Sequence, residues 1–441
     1  MMAGTYRSLP TLKIDGADAP DTLMEDILQA FVEESLHQPG MFTLVIRNDY
    51  QSGTVQDQPW KYQDLLKIGN SIEIGFHAST DSQEFKEEKQ DILLMGEITA
   101  IETHFTERTQ APVVVRGYDV SHRLFRGRHN RSFQNMTDKD IVEKVVKEVG
   151  IEPGTIDASG VAHDYVFQAN QTNMEFLRDR ATRIGFELFV EDGKLNFRKP
   201  KSNPNQTLKL EWLKDLQSFR VRLTSAEQVK EVEVRGWDYS TKRTILAKAQ
   251  TEQLLTETQN GKGSRTSTAF NGQPANPKLI VVDQPVFQPK EADVMAQVLC
   301  NELGGQFVTA DAKGEGNPHI RPGRIVDLKN LGSHSGKYYI SETRHVYVER
   351  VYTTEFSVRG MQSGNLLSAI APSTRPNPGQ TFLVGIVTDN EDPEGWGRVK
   401  VKFPTLTEDH ASNWARVVAA GAGNQRGFDC LPEIDDEVLV A

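Results

Sequence analysis

Cysteine is nearly absent from this chain: there are two among 441 residues. Cys300 and Cys430 are far apart and form no C-x-x-C pair, so neither a disulfide framework nor a structural zinc site has support. Cys300 falls on the apolar face of a predicted helix and reads as a buried small hydrophobe. Long apolar runs are missing as well. No window approaches the eighteen residues a membrane-spanning helix needs. The opening MMAGTYRSLPTLKIDG has neither a charged nor an apolar signal region, which predicts cytoplasmic synthesis and assembly without a signal peptide. Positive charge is in deficit, with 50 Lys and Arg against 61 Asp and Glu and a net charge of −11. That balance argues against nucleic acid as the main partner, because phosphate binding needs a basic field.

The signatures of catalysis are missing too. There is no H-E-x-x-H, no pair of histidines one helical turn apart and no G-x-S-x-G. Asp164 beside His163 has no accompanying nucleophile. Glu87-Glu88 and Asp435-Asp436 read as solvated carboxylates. The loop Gly421 to Gly427 is one residue too long for G-x-G-x-x-G, and no helix follows it, so it reads as a barrel loop. The expectation is a protein with no cofactor, no metal and no enzymatic activity.

What is present is an ordinary globular balance, 37% apolar and 25% charged, in a chain long enough for several cores. Residues 5 to 120 alternate as strands, with clear ones at Met41 to Arg47, Lys67 to Phe76, Ile92 to Thr103 and Pro112 to Tyr118. The last two are joined by a polar turn at Phe105 to Gln110. Asp21 to Leu36 mixes helical and strand spacing. From 130 to 200 the period changes. Thr137 with Asp140, and Thr172 with Glu175, open two helices that end at Gly150 and Gly185. A hairpin follows, turning at Asp192-Gly193. Leu208 to Gly360 returns to strands. Most of Thr251 to Pro289 reads as a surface excursion, and Glu291 to Leu303 as a helix with Val294, Met295, Val298 and Leu299 on one face. Residues 361 to 381 read as a linker.

The chain repeats itself. Val113 to Ser121 (VVVRGYDVS) recurs as Val232 to Ser240 (VEVRGWDYS), and more weakly as Phe356 to Met361 (FSVRGM). Gly69-x-x-Ile72-Glu73-Ile74 matches Gly323-x-x-Val326-Asp327-Leu328. Each of these precedes strands ending in V-R-G, Ile98 to Gly117 and Ile340 to Gly360. Two related β-barrels with helical material between them account for the pattern.

The last sixty residues supply the most specific pattern. Val399, Val401 and Phe403 face one side of a strand while Arg398, Lys400 and Lys402 face the other. Trp414 to Val418 and Glu437 to Val440 add further strands, and the spacing fits a small barrel of the OB type. The D-P-x-x-x-G-R-V-x-V-x-F-P of Asp392 to Pro404, the W-A-R-V of Trp414 to Val417 and the D-E-V-L-V of Asp436 to Val440 resemble the OB module of VgrG-like hub and spike proteins. These serve contractile phage tails, type VI secretion and extracellular contractile injection systems.

The resemblance implies a mostly β chain with an α+β insert: a first hub barrel over 1–125, the insert over 126–205, a second hub barrel over 206–362, a linker over 363–380 and an incomplete OB-fold over 381–441. In the family the barrel runs on into a trimeric β-helix needle, so the stop at Ala441 is expected to fall mid-barrel. It further implies a structural homotrimer that caps an inner tube and joins it to baseplate proteins. The trimer would carry a tip protein and effector cargo, and it would meet a target membrane only on firing. Arg398, Lys400 and Lys402, with the nearby Trp396, are the candidate interface residues on the OB strand. In the one basic cluster, Arg123 to Arg131, Arg126 and Arg128 are expected either to lie on a solvated loop or to pair with carboxylates of a neighbouring subunit. The alternative is an OB protein that binds carbohydrate or oligonucleotide through exposed aromatics.

Overall fold

Strict alternation in the sequence becomes strand almost everywhere in the computed structural model, which describes residues 10–49, 59–76, 92–105, 111–203, 206–238, 241–282, 286, 288–360, 382–405, 411–423, 426–428 and 430–440. The expected linker at 361–381, Glu87-Glu88 and most of the Phe105 to Gln110 turn lie outside the described residues.

In chain order, β1 is Pro10–Ile14. The ambiguous stretch after it divides into both predicted forms, a short helix α1 at Asp21–Asp26 and a strand β2 at Ile27–Ser35. Then come β3 Met41–Ile46, β4 Ser71–Phe76, β5 Ile92–Glu102 and β6 Val113–Asp119. The insert holds β7 His129–Met136, α2 Asp138–Glu148, β8 Glu152–Ile156, β9 His163–Gln171, α3 Asn173–Ile184, β10 Glu187–Glu191 and β11 Lys194–Arg198. Both helices open with reciprocal capping boxes. Thr137 Oγ1 accepts from the Asp140 amide at 3.2 Å while Asp140 accepts from the Thr137 amide at 2.9 Å, and Thr172 with Glu175 repeats the exchange.

Beyond the insert lie β12 Leu208–Glu211, β13 Leu216–Leu223, β14 Glu231–Asp238, β15 Arg243–Ala249, β16 Lys278–Val281 and the helix α4 Pro289–Gly305. They are followed by β17 Val308–Glu315, β18 Ile325–Lys329, β19 Gly336–Tyr339, β20 Glu342–Val348 and β21 Val351–Val358. The C-terminal strands are β22 Leu383–Asp389, β23 Arg398–Lys402 and β24 Glu437–Val440.

The chain forms two compact units. The first is built on one eleven-stranded sheet whose order begins β13-β17-β21-β20, continues β2-β3-β6-β5-β4-β1 and ends in the two-residue strand Ala17–Asp18. The two sets of four are the same arrangement placed head to tail. In each, the first strand in sequence pairs with the second, the second with the last, and the last with the one before it. Their details agree as well. The Gly69 amide donates to the Ile98 carbonyl at 2.9 Å, and the Gly323 amide donates to that of Ile340 at 2.9 Å. Both glycines sit at positive φ, 95° and 77°, a conformation that L side chains resist. The matching Gly-x-x-Ile and Gly-x-x-Val spacings are thus equivalent turns into β4 and β18.

Each repeat has its own core. The first gathers Phe42, Leu44, Ile46, Ile72, Ile74 and Phe76, and Tyr347 and Tyr352 of the second repeat complete it. Phe76 stacks on Tyr352 with ring centroids 4.5 Å apart. The second gathers Leu208, Leu210, Ala310, Val326, Leu328, Tyr338, Ile340 and Phe356. A third core, around Phe133, Val142, Val145, Phe176, Leu177 and Phe197, belongs to the insert.

Two expectations are corrected, and one is refined. The strongest echo of β6, the VEVRGWD of β14, belongs to neither repeat. It lies in a separate sheet between β15 and β16, in the second unit. The weaker FSVRG echo, in β21, is the true counterpart. V-R-G marks a close crossing and not a barrel position, since a Cβ at Gly117 would meet the Phe42 ring at 2.4 Å and one at Gly236 would meet Val286 at 2.4 Å. Thr251 to Pro289 lies mostly at the surface, as expected, and is pinned at a few points. Glu252, Ser264 and Ser267 are buried, with Glu252 accepting from the Ser264 amide at 3.3 Å. These few buried polar groups anchor the excursion, the Ser267 hydroxyl donating in turn to the Ser264 carbonyl at 2.7 Å. Finally, α4 buries Ala292, Met295, Ala296 and Cys300, whereas Val294 is exposed. Small alanines complete the buried stripe, shifting it from the one that large residues alone suggested.

The second unit holds the β14 sheet and the C-terminal half-barrel, with strands ordered Ala415–Arg416, β23, β22, β24. Its small core is Val387, Val399 and Val401, with Phe403, Val417 and Leu431 against it. Within this unit the Trp237 indole donates to Glu437 at 2.9 Å.

Candidate functional site

The OB strand β23 alternates as its sequence requires. Val399 and Val401 are buried, so Arg398, Lys400 and Lys402 emerge on the opposite side. What the alternation did not reveal is how these cations are held. Asp392 closes the turn before β23 by accepting the amides of Glu394 at 3.1 Å, Trp396 at 3.0 Å and Arg398 at 3.3 Å. The same carboxylate takes the Arg398 guanidinium through Nε at 2.9 Å and Nη2 at 2.7 Å. This explains the D-P-x-x-x-G-R spacing: one side chain organises the loop and pins the first cation of the strand. The Arg398 guanidinium and the three amides hold the Asp392 carboxyl well below the usual carboxylate range.

Trp396 and Trp414 complete the arrangement. The Arg398 guanidinium lies 4.9 Å from the Trp396 ring centroid and 6.0 Å from that of Trp414. Lys400 Nζ lies 4.4 Å from the Trp414 ring and donates to Asp389 at 2.9 Å. Trp396 remains 66% exposed. The result is a ladder of cations and indoles on the outer face of the half-barrel, rigid and partly open. Lys402 extends the row and is half-buried.

Much of the basic cluster is paired within its own chain. Arg123 pairs with Glu97, and its Nη1 donates to the Gly150 carbonyl at 2.8 Å. Arg128 reaches the Asn170 carbonyl at 2.6 Å and Glu175 at 3.4 Å. Arg131 binds Gln168 and Asn173, each at 2.9 Å, and Glu148. Arg126 is exposed. The carboxylates come from α2, α3 and β5, so no local sequence pattern announces them. His163 is not paired with its neighbour Asp164. It meets buried Asp138 at 3.2 Å, and Arg180 holds that same carboxylate. No group of three His, Cys, Asp or Glu residues fit to hold a metal occurs among the described residues.

A buried ionic node in the first unit carries no signal in the sequence. Arg321, between β17 and β18, donates Nη2 to Glu34 of β2 at 2.7 Å and to the Leu93 carbonyl of β5 at 2.8 Å, and Nη1 to Asp192 of the insert hairpin at 3.1 Å. Arg324 reaches Glu191 of the same hairpin at 3.3 Å. The Tyr339 hydroxyl donates to Glu187 at 2.7 Å. Burial pushes Glu187 up to about 7, against Tyr339 and Arg198. Both repeats and the insert meet at this point. Above the adjoining strand pair, β2 with β20, a groove of 550 Å³ is lined by Glu33, Tyr118, Glu342, Arg344 and Glu355 among others.

The family described as the Alg8 N-terminal domain matches residues 10–349. The chain belongs to the Alg8 N-terminal domain family. A second family, described as the type VI secretion system/phage-baseplate injector OB domain, matches residues 383–441. No curated protein matches the chain.

Among solved structures, the 43 kDa tail protein of prophage MuSo2 from Shewanella oneidensis aligns with a TM-score of 0.59 at 14% identity, over 81% of this chain and 99% of its own. The tail protein from Neisseria meningitidis MC58 aligns at 0.54 and 14% identity, over 80% and 97%. The E. coli c3393 protein aligns at 0.50 and 14% identity, over 91% and 92%. It is described as a component of the type VI secretion system with structural similarity to the bacteriophage T4 tail proteins gp27 and gp5. At these identities the likeness is one of fold. This Alg8-family chain has the fold of VgrG-like hub proteins: mostly β, with an α+β insert and a C-terminal OB half-barrel.

Proposed function

We propose that this chain is the structural hub and spike of a contractile injection machine and works as a homotrimer. The observation that carries the proposal is the head-to-tail repeat in one continuous sheet. Two equivalent four-strand sets per chain make six in three chains, a ring suited to cap a tube and tie it to the baseplate. The junction β20 to β2 already joins one repeat to the next within the chain. Among the described residues β13 pairs as a strand with β17 alone, apart from one isolated bridge of Leu216 to Trp212, leaving most of its other edge for a neighbour. The baseplate OB match over 383–441 supports a role where such a ring narrows to a needle.

On this reading the trimer assembles in the cytoplasm and becomes part of a phage-tail-like particle that can be released. Inner tube protein, baseplate proteins, a tip protein and effector cargo are its partners, and a target membrane is met only on firing. It uses no catalytic chemistry. Arg398, Lys400, Lys402 and Trp396 face neighbouring chains on the OB rim, and Arg126 and Arg128 offer a weaker contact on the insert. The OB face as a carbohydrate or oligonucleotide site is less well supported, since Arg398 and Lys400 already occupy the indoles there.

Native mass spectrometry tests the proposal directly, with three copies of the 49.4 kDa chain expected. A chain that stays monomeric at micromolar concentration, alone and mixed with its cognate inner tube protein, overturns it.

A further inference from the structure

The ribbon of β7 and β9 in the insert buries one face and exposes the other. Phe133 and Val166 turn inward to the insert core. Outward, Asn130, Ser132 and Gln134 stand on β7, and Tyr165, Phe167 and Ala169 stand opposite them on β9. All six are uncharged, in a chain where a quarter of the residues are charged. Of the ribbon's titratable groups, Arg131 is engaged with Gln168, Asn173 and Glu148, His163 meets Asp138, and exposed Asp164 alternates with Tyr165 and so stands off this face. Tyr165 and Phe167 are 59% and 49% exposed. Their rings are parallel to within 5°, with centroids 6.4 Å apart.

We propose that this face binds a neutral polysaccharide. A pyranose ring presents a patch of C–H bonds, which packs on an electron-rich aromatic face, and a rim of hydroxyls, which needs uncharged donors and acceptors. Parallel rings one side-chain step apart along a strand meet successive sugars in the same orientation. Ser132 and Gln134 are the direct cross-strand partners of Phe167 and Tyr165, close enough to reach those hydroxyls. The absence of a cation on the face disfavours nucleic acid and anionic glycans. Protein anchors favour packed pockets that exclude water, whereas these rings stand open on a two-stranded ribbon. The inference is independent of the hub reading, because it concerns a ligand and not the number of chains.

Affinity electrophoresis of the full chain tests it, through gels containing a β-1,4-glucan, an α-1,4-glucan or a galactomannan, with dextran sulfate as the anionic control. At least one neutral polymer is expected to retard the protein. Tyr165→Ala with Phe167→Ala weakens that retardation about tenfold or more, and Ser132→Ala with Gln134→Ala weakens it severalfold, with the thermal transition and copy number unchanged. Failure of all three neutral polymers to retard the protein overturns the proposal, as does retardation that survives the aromatic double variant. A change in copy number in that variant, without retardation of the parent chain, assigns the face to a subunit contact instead.

Discussion

The two repeats share a topology and differ in what holds them. In the first, β2 and β3 are joined across residues 36–40, and the core is apolar and aromatic. In the second, residues 224–307 intervene between β13 and β17, and buried Arg321 and Arg324 tie the connection before β18 to β2 and to the insert. The first repeat is therefore held together chiefly by hydrophobic burial. The second adds to its own apolar core ion pairs reaching across the chain, whose worth rests on every partner being present. One topology can thus be stabilised by local packing or by long-range polar ties, and the two kinds of stabilisation should fail differently.

Breaking the node gives the largest effect. Arg321→Ala leaves Glu34 buried without its partner and is expected to cost about 3–5 kcal/mol in denaturant unfolding. Replacing Arg321 and Glu34 together with Met and Leu costs less than the single variant, because no buried charge is then abandoned.

The equivalent glycines sharpen the comparison. Gly69→Ala meets no atom within 4 Å, so only its positive φ opposes it, at about 1 kcal/mol. Gly323→Ala meets the same backbone cost and also brings a methyl 2.9 Å from the Arg198 guanidinium. A larger loss in the second repeat is expected from the same denaturation measurement.

Acid should expose the polar repeat. His345 of β20 is fully buried. Tyr352 lies 2.8 Å from its Nδ1, and its Nε2 donates to the Ile320 carbonyl at 3.1 Å. Burial, reinforced by the Arg321 charge, lowers it to about 3. The unfolded chain takes up this proton near pH 6.5 and the folded chain does not. The contribution is therefore intact above pH 6.5 and lost progressively as pH falls toward 3. His345→Gln flattens stability against pH in that window. Glu187 acts in the other direction. Raised to about 7 by burial, it lowers stability as pH climbs from 4.5 to 7, and Glu187→Gln removes that loss.

The smallest effects lie on the OB rim and the insert surface. Asp392→Ala removes the acceptor for three amides and Arg398, so it lowers the melting of the C-terminal half-barrel and leaves hub unfolding unchanged. Arg398→Lys, which keeps the charge and loses the fork, has a weaker effect in the same calorimetric scan. Arg126→Ala stays within about 0.5 kcal/mol of the parent, and any larger consequence appears only in assembly.

Much was legible before any coordinates. The capping boxes at Thr137 and Thr172, the Asp192-Gly193 hairpin turn, the alternation of β23 and the Gly-x-x-Ile to Gly-x-x-Val match are short-range patterns, and each stands where it was read. The candidate interface was legible only in part. Alternation placed Arg398, Lys400 and Lys402 outward. Their indole and carboxylate partners depend on how the loops close, and the carboxylates that pair with Arg123, Arg128 and Arg131 come from three other elements.

Sequence by itself determined many of the local states: where α2 and α3 begin and end, where the insert hairpin turns, and which side of β23 is apolar. The reason is that side-chain periodicity and backbone stereochemistry act over a few residues. Only the tertiary structure decided which strands neighbour one another, that VEVRGWD stands in a separate sheet outside both repeats, and that Arg321 meets Glu34 across 287 residues. Such pairings are selected by the total burial of the folded chain. No short window contains both members of a pair so far apart.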